Sequence, residues 1–240
     1  MEVLYWAGCF SRQRFQENID AHFKLLRKLG YSLISLKDEG CCGNPLLLAG
    51  DIENAKRTAT KTAEHLRNAG VDLIVTGCAG CYKAFREYKN LKINLPKFQH
   101  IAQTLAENLN KLKFLNQKEQ VTYHDPCELG RLAGEYEAPR KVLKAIATLK
   151  EPLANRAEAF CCGGGGLIPS VAPRISVRVA EIRFERDIEP LKLSKLVTTC
   201  PACLANLSVG AKTRARKTGQ LIEVIDLGKY VYSRLGDKND

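Results

Sequence analysis

The ten cysteines of this 240-residue chain form two sets of five with the same internal order. Each set has one cysteine, then an adjacent pair followed by glycine, then a CxxC. The pattern is C-x31-CC-x35-CxxC in the first set and C-x33-CC-x37-CxxC in the second. The members are Cys9, Cys41, Cys42, Cys78 and Cys81, followed by Cys127, Cys161, Cys162, Cys200 and Cys203. Because every cysteine has a counterpart, the chain is an internal duplication.

The residues around the cysteines repeat as well. "VLYWAGC" matches "VTYHDPC", and "DLIVTGCAGC" matches "KLVTTCPAC", each a β-rich run that leads into a cysteine. Amphipathic stretches lie between these runs. The first is predicted to be a helix that starts near Phe15 and stops at Gly30, and the second follows Asp51 as N-cap and stops at Gly70.

This alternation predicts an α/β fold with parallel sheets, in the order strand, helix, strand, CCG loop, helix, strand, CxxC and helix, and then again. Parallel sheets form binding sites at the C-terminal ends of their strands, so the five cysteines of each half are expected at one sheet edge. Residues 98–114 are predicted to be helical, and the polar residues 115–120 are predicted to join the halves. The predicted domains are residues 1–116 and 117–240.

Composition indicates a soluble, intracellular protein. The chain is 45% hydrophobic and 26% charged, and it contains no apolar run of the roughly 18 residues that a membrane helix needs. Its first residues, "MEVLYWAGCFSRQR", lack the basic and long apolar regions of a signal peptide. We therefore expect a cytoplasmic location, where cysteines serve metal or redox chemistry more often than disulfides.

The formal net charge is +11, which attracts acidic partners and offsets the negative charge of thiolate-bound metal. The basic runs have acidic neighbours at helical spacing, as solvated helix faces do. Few aromatic residues lie among them and no nucleic-acid motif occurs, so no nucleic-acid partner is expected.

Five thiolates in a set are compatible with several kinds of site. A structural zinc ion or a four-iron cubane takes four ligands, which leaves one sulfur of each set unexplained. A thioredoxin-like dithiol would use only the CxxC and leave the other six cysteines idle. Two adjacent cysteines suit an irregular cluster, because neighbouring sulfurs can ligate neighbouring metal atoms, and the glycines after them let the backbone approach it.

The paired pattern resembles the cysteine-rich CCG domain found in the B and D subunits of heterodisulfide reductase and in the sulfur-oxidising heterodisulfide-reductase-like complexes. The resemblance covers residues 1 to about 230 and implies two duplicated Rossmann-like CCG domains with clusters at strand C-terminal ends. It also implies two [4Fe-4S] clusters of noncubane type, one ligated by each set of five cysteines. Both sets are complete, which favours the disulfide-active branch of the family.

The resemblance further implies partners for this chain. The second half, with "YHDPCELGRLAGEYEAPRKVL" and "CCGGGG", is more similar to the D-type and lactate or glycolate branch than to the B-type members. The ferredoxin-like cysteine segments of D-type members do not occur, so electrons are expected to pass through a separate ferredoxin-like iron–sulfur subunit. No flavin or nicotinamide fingerprint is found, and a flavin-containing subunit is also expected in the complex.

His124, three residues before Cys127, is the one candidate catalytic residue outside the cysteines. It can donate a proton to a leaving thiolate or a hydrogen bond to a cluster sulfur, or simply pack beside the strand end. Arg131 is expected to meet an anionic substrate or a carboxylate. Aromatic residues before cysteines are expected to shield the clusters from water: Trp6, Tyr123 and Phe160. No role is assigned to His22, His65 and His100.

The preferred function is that of a catalytic subunit that couples electron transfer to the redox chemistry of a disulfide, a persulfide or another sulfur substrate. The first alternative is an electron-relay subunit of a lactate-, glycolate- or succinate-type oxidoreductase, with the flavin chemistry on another chain. The second is a non-catalytic binding module that uses zinc to hold its fold.

Overall fold

The computed structural model describes residues 1–36 and 38–236, which form two halves of the same architecture. The first half contains β1 (Glu2–Trp6), α1 (Cys9–Arg14), α2 (Gln16–Lys28), β2 (Ser32–Ile34), α3 (Asn44–Ala49), α4 (Ile52–Asn68), β3 (Leu73–Thr76), α5 (Ala79–Glu87), β4 (Phe98–His100) and α6 (Ile101–Glu107). The second contains β5 (Gln120–His124), α7 (Glu137–Ile146), β6 (Thr148–Leu149), α8 (Ile168–Val171), α9 (Pro173–Arg183), β7 (Lys195–Thr198), α10 (Pro201–Thr218), β8 (Glu223–Asp226) and α11 (Leu227–Ser233).

Each half has one four-stranded sheet, in the order β2-β1-β3-β4 and β6-β5-β7-β8. All strands are parallel, and β1 lies between its neighbours with Val3 opposite both Leu33 and Leu73. The strand β5 has the equivalent central position in the second sheet. The predicted α/β fold, two duplicated Rossmann-like halves with parallel sheets, is therefore confirmed.

The two helices predicted from amphipathic spacing form as expected. The helix α2 buries Ile19, Leu25 and Leu26 on one face. The helix α4 begins after Asp51, whose carboxylate accepts a hydrogen bond from the backbone N–H of Asn54 as an N-cap does. Each helix is followed within two residues by a glycine with positive φ, which ends it.

The prediction of a helix over residues 98–114 is wrong in its first and last parts. Residues Phe98–His100 form the edge strand β4, which pairs with β3, and α6 spans only Ile101–Glu107. His100 explains the boundary, because its ring nitrogen caps α6 by accepting the N–H of Ala102. Each half therefore has a fourth strand, β4 or β8, that the predicted order lacks.

The two halves share a core and exchange helix contacts. One cluster of buried side chains contains Leu25 and Leu26 of α2 together with Val142, Leu143 and Tyr230 of the second half. The helix α2 packs on α11, and α6 packs on α7, so the last helix of each half contacts the other half. The boundary between residues 116 and 117 stays a prediction.

His22 lies at the centre of this interface. Its Nε2 is 2.7 Å from the carboxylate of Asp226, which can only accept, so Nε2 carries the proton and Nδ1 accepts from the hydroxyl of Tyr5 at 2.5 Å. Glycines of both halves contact the ring: a Cβ on Gly77 would lie 2.4 Å from it and one on Gly228 would lie 2.1 Å from it. No role is expected for His22 from the sequence, whereas the structure makes it a buried link between the halves.

No helix within the described ranges combines the length and apolarity needed to cross a membrane. Part of the basic charge is in ion pairs on helix faces. Arg214 contacts Glu185 and Glu189, and Lys217 contacts Glu181.

Candidate metal centres

The first cysteine of each set follows the central strand of its sheet. In the first half, Gly8 turns the chain from β1 into α1 with a φ of 79°, and its N–H donates to the carboxylate of Glu39 at 2.7 Å. A Cβ on Gly8 would lie 3.0 Å from the Sγ of Cys81. The glycine therefore allows the turn before Cys9 to approach the sulfur of Cys81.

The adjacent cysteines of the first half lie in a loop that helix side chains hold in place. The hydroxyl of Thr62 donates to the carbonyl of Cys41 at 2.7 Å, and the hydroxyl of Tyr88 donates to that of Cys42 at 3.0 Å. The loop is not directly attached to the sheet, because β2 ends at Ile34. The expectation that this pair comes just beyond a strand is wrong, although the pair does lie at the same edge as the other cysteines.

The CxxC of each half starts a helix. Cys78 and Cys200 occupy the N-cap positions of α5 and α10 with extended backbone, and both follow an inner strand of their sheet. Cys81 and Cys203 lie one turn later and are buried. Hydrogen bonding to neighbouring sulfurs, and then burial, raises the pKa of both Cys81 and Cys203.

The second adjacent pair is held in the same way by α10. Asn206 donates from its side-chain amide to the carbonyl of Cys162 at 2.6 Å, and the N–H of Gly163 lies 3.3 Å from the sulfur of Cys161. The sulfurs of Cys162 and Cys203 are 3.1 Å apart, too far for a disulfide bond. All ten cysteines, each within the described part of the chain, are free.

The convergence of the sulfurs alters their acidity in the same pattern at both sites. Hydrogen bonds from Cys42 and Cys9 lower the pKa of Cys41, and the bond to Cys41 raises the pKa of Cys9. In the second half, hydrogen bonding between the two sulfurs lowers the pKa of Cys161 and raises that of Cys127. A bound metal would take the place of the protons that these neighbouring sulfurs otherwise share, because metal ligation requires thiolates.

Two buried rings beside the sulfurs have nitrogen atoms without partners. Among the described residues, nothing pairs with Nε1 of Trp6 or with either ring nitrogen of His124. Burial, and then the charge of Arg183, lowers the pKa of His124 to about 3, so the imidazole is neutral. Five convergent sulfurs and an unsatisfied N–H at each site fit a sulfur-containing cluster, whose sulfides accept hydrogen bonds.

His124 also lies close enough to two sulfurs to be a ligand itself. Its ring nitrogen and the sulfurs of Cys162 and Cys203 all lie within 4.8 Å of one another and form a group able to hold a metal ion. A closed zinc site takes four ligands, and this group with the remaining cysteines of its set exceeds that number.

One cavity of about 780 Å³ lies between the halves. Its wall includes the second half's backbone at Gly164 to Gly166. The cysteines that line it are Cys9, Cys42, Cys78 and Cys81 of the first set and Cys200 of the second. The cavity therefore opens mainly onto the first site, while Cys161 of the second site is exposed to solvent outside the cavity lining.

The cavity combines apolar walls with few charges. Arg14 and Lys212 line it, and within residues 1–36 and 38–236 neither forms an ion pair with a carboxylate. Glu128 is its only acidic lining residue among those described; it accepts a hydrogen bond at 2.6 Å from the side-chain amide of Asn44 and so ties the halves together. The larger apolar residues of the lining include Phe10, Phe15, Leu48, Leu167, Pro169 and Val209.

Several residues have roles that the sequence did not predict. Glu39, Tyr88 and Asn206 hold the cysteine loops, and the position of Glu39 two residues before "CC" was the one available signal. Arg131 donates to the carbonyl of Ala159 at 2.7 Å and braces the second cysteine loop. It does not line the cavity.

The aromatic residues expected to shield the cysteines differ in their positions. Trp6 is fully buried and belongs to the same cluster as Cys42 and Cys81, as expected. Tyr123 is buried with its hydroxyl 2.8 Å from that of Thr199, whereas Phe160 is half-buried.

Comparison with known proteins places this geometry in a family. The cysteine-rich domain family named CCG matches residues 3–86 and 121–208. The heterodisulfide reductase D subunit of Methanosarcina acetivorans is 33% identical over 87% of this chain and 54% of its own length. Lactate utilization protein A of Shouchella clausii is 29% identical over 88% of this chain and 90% of its own length. This chain thus spans about half of the first relative and most of the second.

A solved structure supports the fold alone. A hypothetical protein from Helicobacter pylori superimposes with a TM-score of 0.70 over 99% of this chain and 49% of its own, at 12% identity. Two family matches, each containing one complete set of five cysteines, cover more than half of the chain. The chain contains two copies of the CCG cysteine-rich domain and belongs to that family.

Proposed function

We propose that this chain is the iron–sulfur catalytic subunit of a heterodisulfide-reductase-like complex, with one noncubane [4Fe-4S] cluster in each half. The ligands are the two sets of five cysteines described above. The observation that supports this most is the convergence of the sulfurs of each set at one sheet edge, with four cysteines of the first set and Cys200 of the second lining a single cavity. The similarity to a D subunit of heterodisulfide reductase supports the same function.

The reaction proposed is the interconversion of a disulfide or persulfide with thiols. Reduction of a disulfide breaks the S–S bond, consumes two electrons and two protons and yields two thiols. When bound, each cluster would exchange one electron at a time, so two sites match the two electrons required. The direction depends on the potential of the partner, and the same site can oxidise sulfur.

The cavity supplies the binding surface for that substrate. Its walls are mostly apolar with a few polar groups, as in small-molecule binding sites. Arg14 and Lys212, which have no carboxylate partner among the described residues, favour a substrate with an anionic group. His124 is buried in the second half and neutral, so we propose that it supports the site through hydrogen bonding rather than as an acid.

We propose that a ferredoxin-like iron–sulfur subunit exchanges electrons with this chain. A flavin-containing subunit would in turn supply electrons to that partner. Cys161 is exposed and lies outside the cavity lining, so the second site is the one that a partner can approach. Arg131 and Arg186 flank this loop, the latter 5.1 Å above the ring of Phe160, and both suit an acidic partner.

Metal analysis with spectroscopy tests the proposal. Anaerobically purified protein should contain about eight iron atoms and about eight acid-labile sulfides, as two four-iron clusters require. Electron paramagnetic resonance of the oxidised protein should change on addition of 2-mercaptoethanesulfonate, and 2-mercaptoethanol should need a higher concentration because it lacks the anionic group. Zinc without sulfide would contradict the proposal and favour the binding module.

The second candidate is an electron relay in a lactate-, glycolate- or succinate-type oxidoreductase. Similarity to lactate utilization protein A over most of both chains favours it. A relay would contain iron and sulfide, yet its resonance signal would not respond to either thiol. The thiol titration therefore separates the two candidates.

A further inference from the structure

Trp6 and His124 occupy the same position in the two halves. Each is the last residue of the central strand, in "VLYW" of β1 and in "VTYH" of β5, three residues before the first cysteine of its set. Their exposed fractions are 0% and 1%. Indole and imidazole share a planar ring that carries a nitrogen donor.

Both rings lie against the same pair of cysteines in their halves. Trp6 packs in one buried cluster with Cys42 and Cys81, and its Nε1 and the sulfur of Cys81 lie 4.0 and 3.0 Å from the Cβ position of Gly8. A nitrogen of His124 lies within 4.8 Å of the sulfurs of Cys162 and Cys203, the counterparts of that pair.

The tyrosines one position before these two residues have partners within the protein. The hydroxyl of Tyr5 bonds to His22, and that of Tyr123 bonds to Thr199. In contrast, Nε1 of Trp6 and both nitrogens of His124 have no partner among the described residues. A buried donor without an acceptor is costly, so its acceptor is expected to be a group that binds there.

We propose that Trp6 and His124 are matched positioning residues, each donating an N–H hydrogen bond to a sulfur of the cluster in its own half. This rests on the proposed function, because it requires a cluster at each site. A hydrogen bond to a cluster sulfur stabilises the reduced, more negative state and raises the reduction potential. Since Trp6 cannot be a metal ligand, the role common to both residues is donation rather than ligation.

Removal of each donor tests the proposal. In Trp6→Phe and His124→Phe, iron and sulfide contents should stay as in the wild type, while the potential of the altered half alone should fall in an anaerobic redox titration. His124→Asn retains an N–H donor and should recover part of the shift. Tyr5→Phe and Tyr123→Phe lose a hydroxyl from the adjacent strand position and should leave both potentials unchanged.

A measurement on the wild-type protein keeps the test independent of folding of the variants. Pulsed electron paramagnetic resonance in heavy water, on protein with ¹⁵N-labelled histidine or tryptophan, should detect an exchangeable proton coupled to each cluster and a weak nitrogen coupling. A strong nitrogen coupling from histidine, or loss of half the iron in His124→Phe, would make His124 a ligand and overturn the proposal. Unchanged potentials in both phenylalanine variants would also overturn it. Protein without iron would instead contradict the proposed function.

Discussion

At the scale of single residues, the buried histidines show that the surroundings of a side chain determine its protonation and its hydrogen bonds. The sequence around His100 predicts no role for this residue. In the structure His100 is fully buried, its Nδ1 caps α6, and its Nε2 donates to the carbonyl of Thr199 at 3.1 Å. In the neutral ring both nitrogens form hydrogen bonds, so protonation of Nδ1 would break the bond that it accepts from Ala102. Burial, with a smaller effect of nearby His22, lowers the pKa of His100 from 6.5 to about 4.

This shift predicts a loss of stability in acid. Below pH 6.5 the unfolded chain binds a proton at this position and the folded chain does not until about pH 4, so the free energy of unfolding falls as the pH falls through that window. The loss is at most about 3 kcal/mol. His100→Asn keeps an N-cap acceptor without a titrating group. Its denaturant midpoint should therefore fall less than that of the wild type between pH 6.5 and pH 4, and parallel profiles would contradict the assignment.

At the scale of elements, the glycines of the run "CCGGGG" fall into two groups with different surroundings. A Cβ on Gly163 would lie 2.5 Å from the carbonyl of Ser176, and one on Gly164 would lie 2.5 Å from that of Ala202. These glycines let the cysteine loop pack against α9 and α10. Gly165 has nothing within 4 Å of its Cβ position and lines the cavity.

The contrast gives a matched pair of variants. Gly164→Ala should push the loop away from α10, destabilise the protein by about 1–3 kcal/mol and displace Cys161 and Cys162, so that the metal proposed for the second half is no longer bound. Gly165→Ala should change neither the stability nor the metal content. Metal content and denaturant midpoints, measured side by side, check both outcomes, and equal behaviour of the two variants would refute the packing explanation.

The sequence predicted what depends on local pattern and missed what depends on contacts across the chain. Strands β1, β3, β5 and β7 were predictable because their apolar runs end at cysteines, and α4 because Asp51 caps it. The edge strand β4 was missed, since "FQH" has no strand alternation and gains its partner only from β3. Glu128 and Asn44 come together from different halves, which no spacing reveals.

At the scale of the whole molecule, the halves are held by a polar link as well as by apolar packing. His22 of the first half contacts Asp226 of the second and fits against the backbone of Gly228. Such a link fixes the relative position of the two sheets, and the walls of the cavity depend on that position.

Gly228→Ala tests this link, because the added Cβ would meet the imidazole at 2.1 Å. Alanine favours the helix α11 locally, so a loss of about 1–3 kcal/mol in the free energy of unfolding would come from the clash between halves. In the double variant with His22→Ala the clash is gone, and the two effects should be less than additive. Additive losses in denaturant unfolding would show that the two residues are not coupled.

The exchange of terminal helices has an evolutionary consequence. Because α6 packs on the second half and α11 on the first, two identical copies of one half could make both contacts with each other as an isologous dimer. Once such a dimer is fused into one chain, the two copies can diverge in sequence while their shared surface keeps them together. The tryptophan of one strand and the histidine of the other are then divergent descendants of one ancestral position.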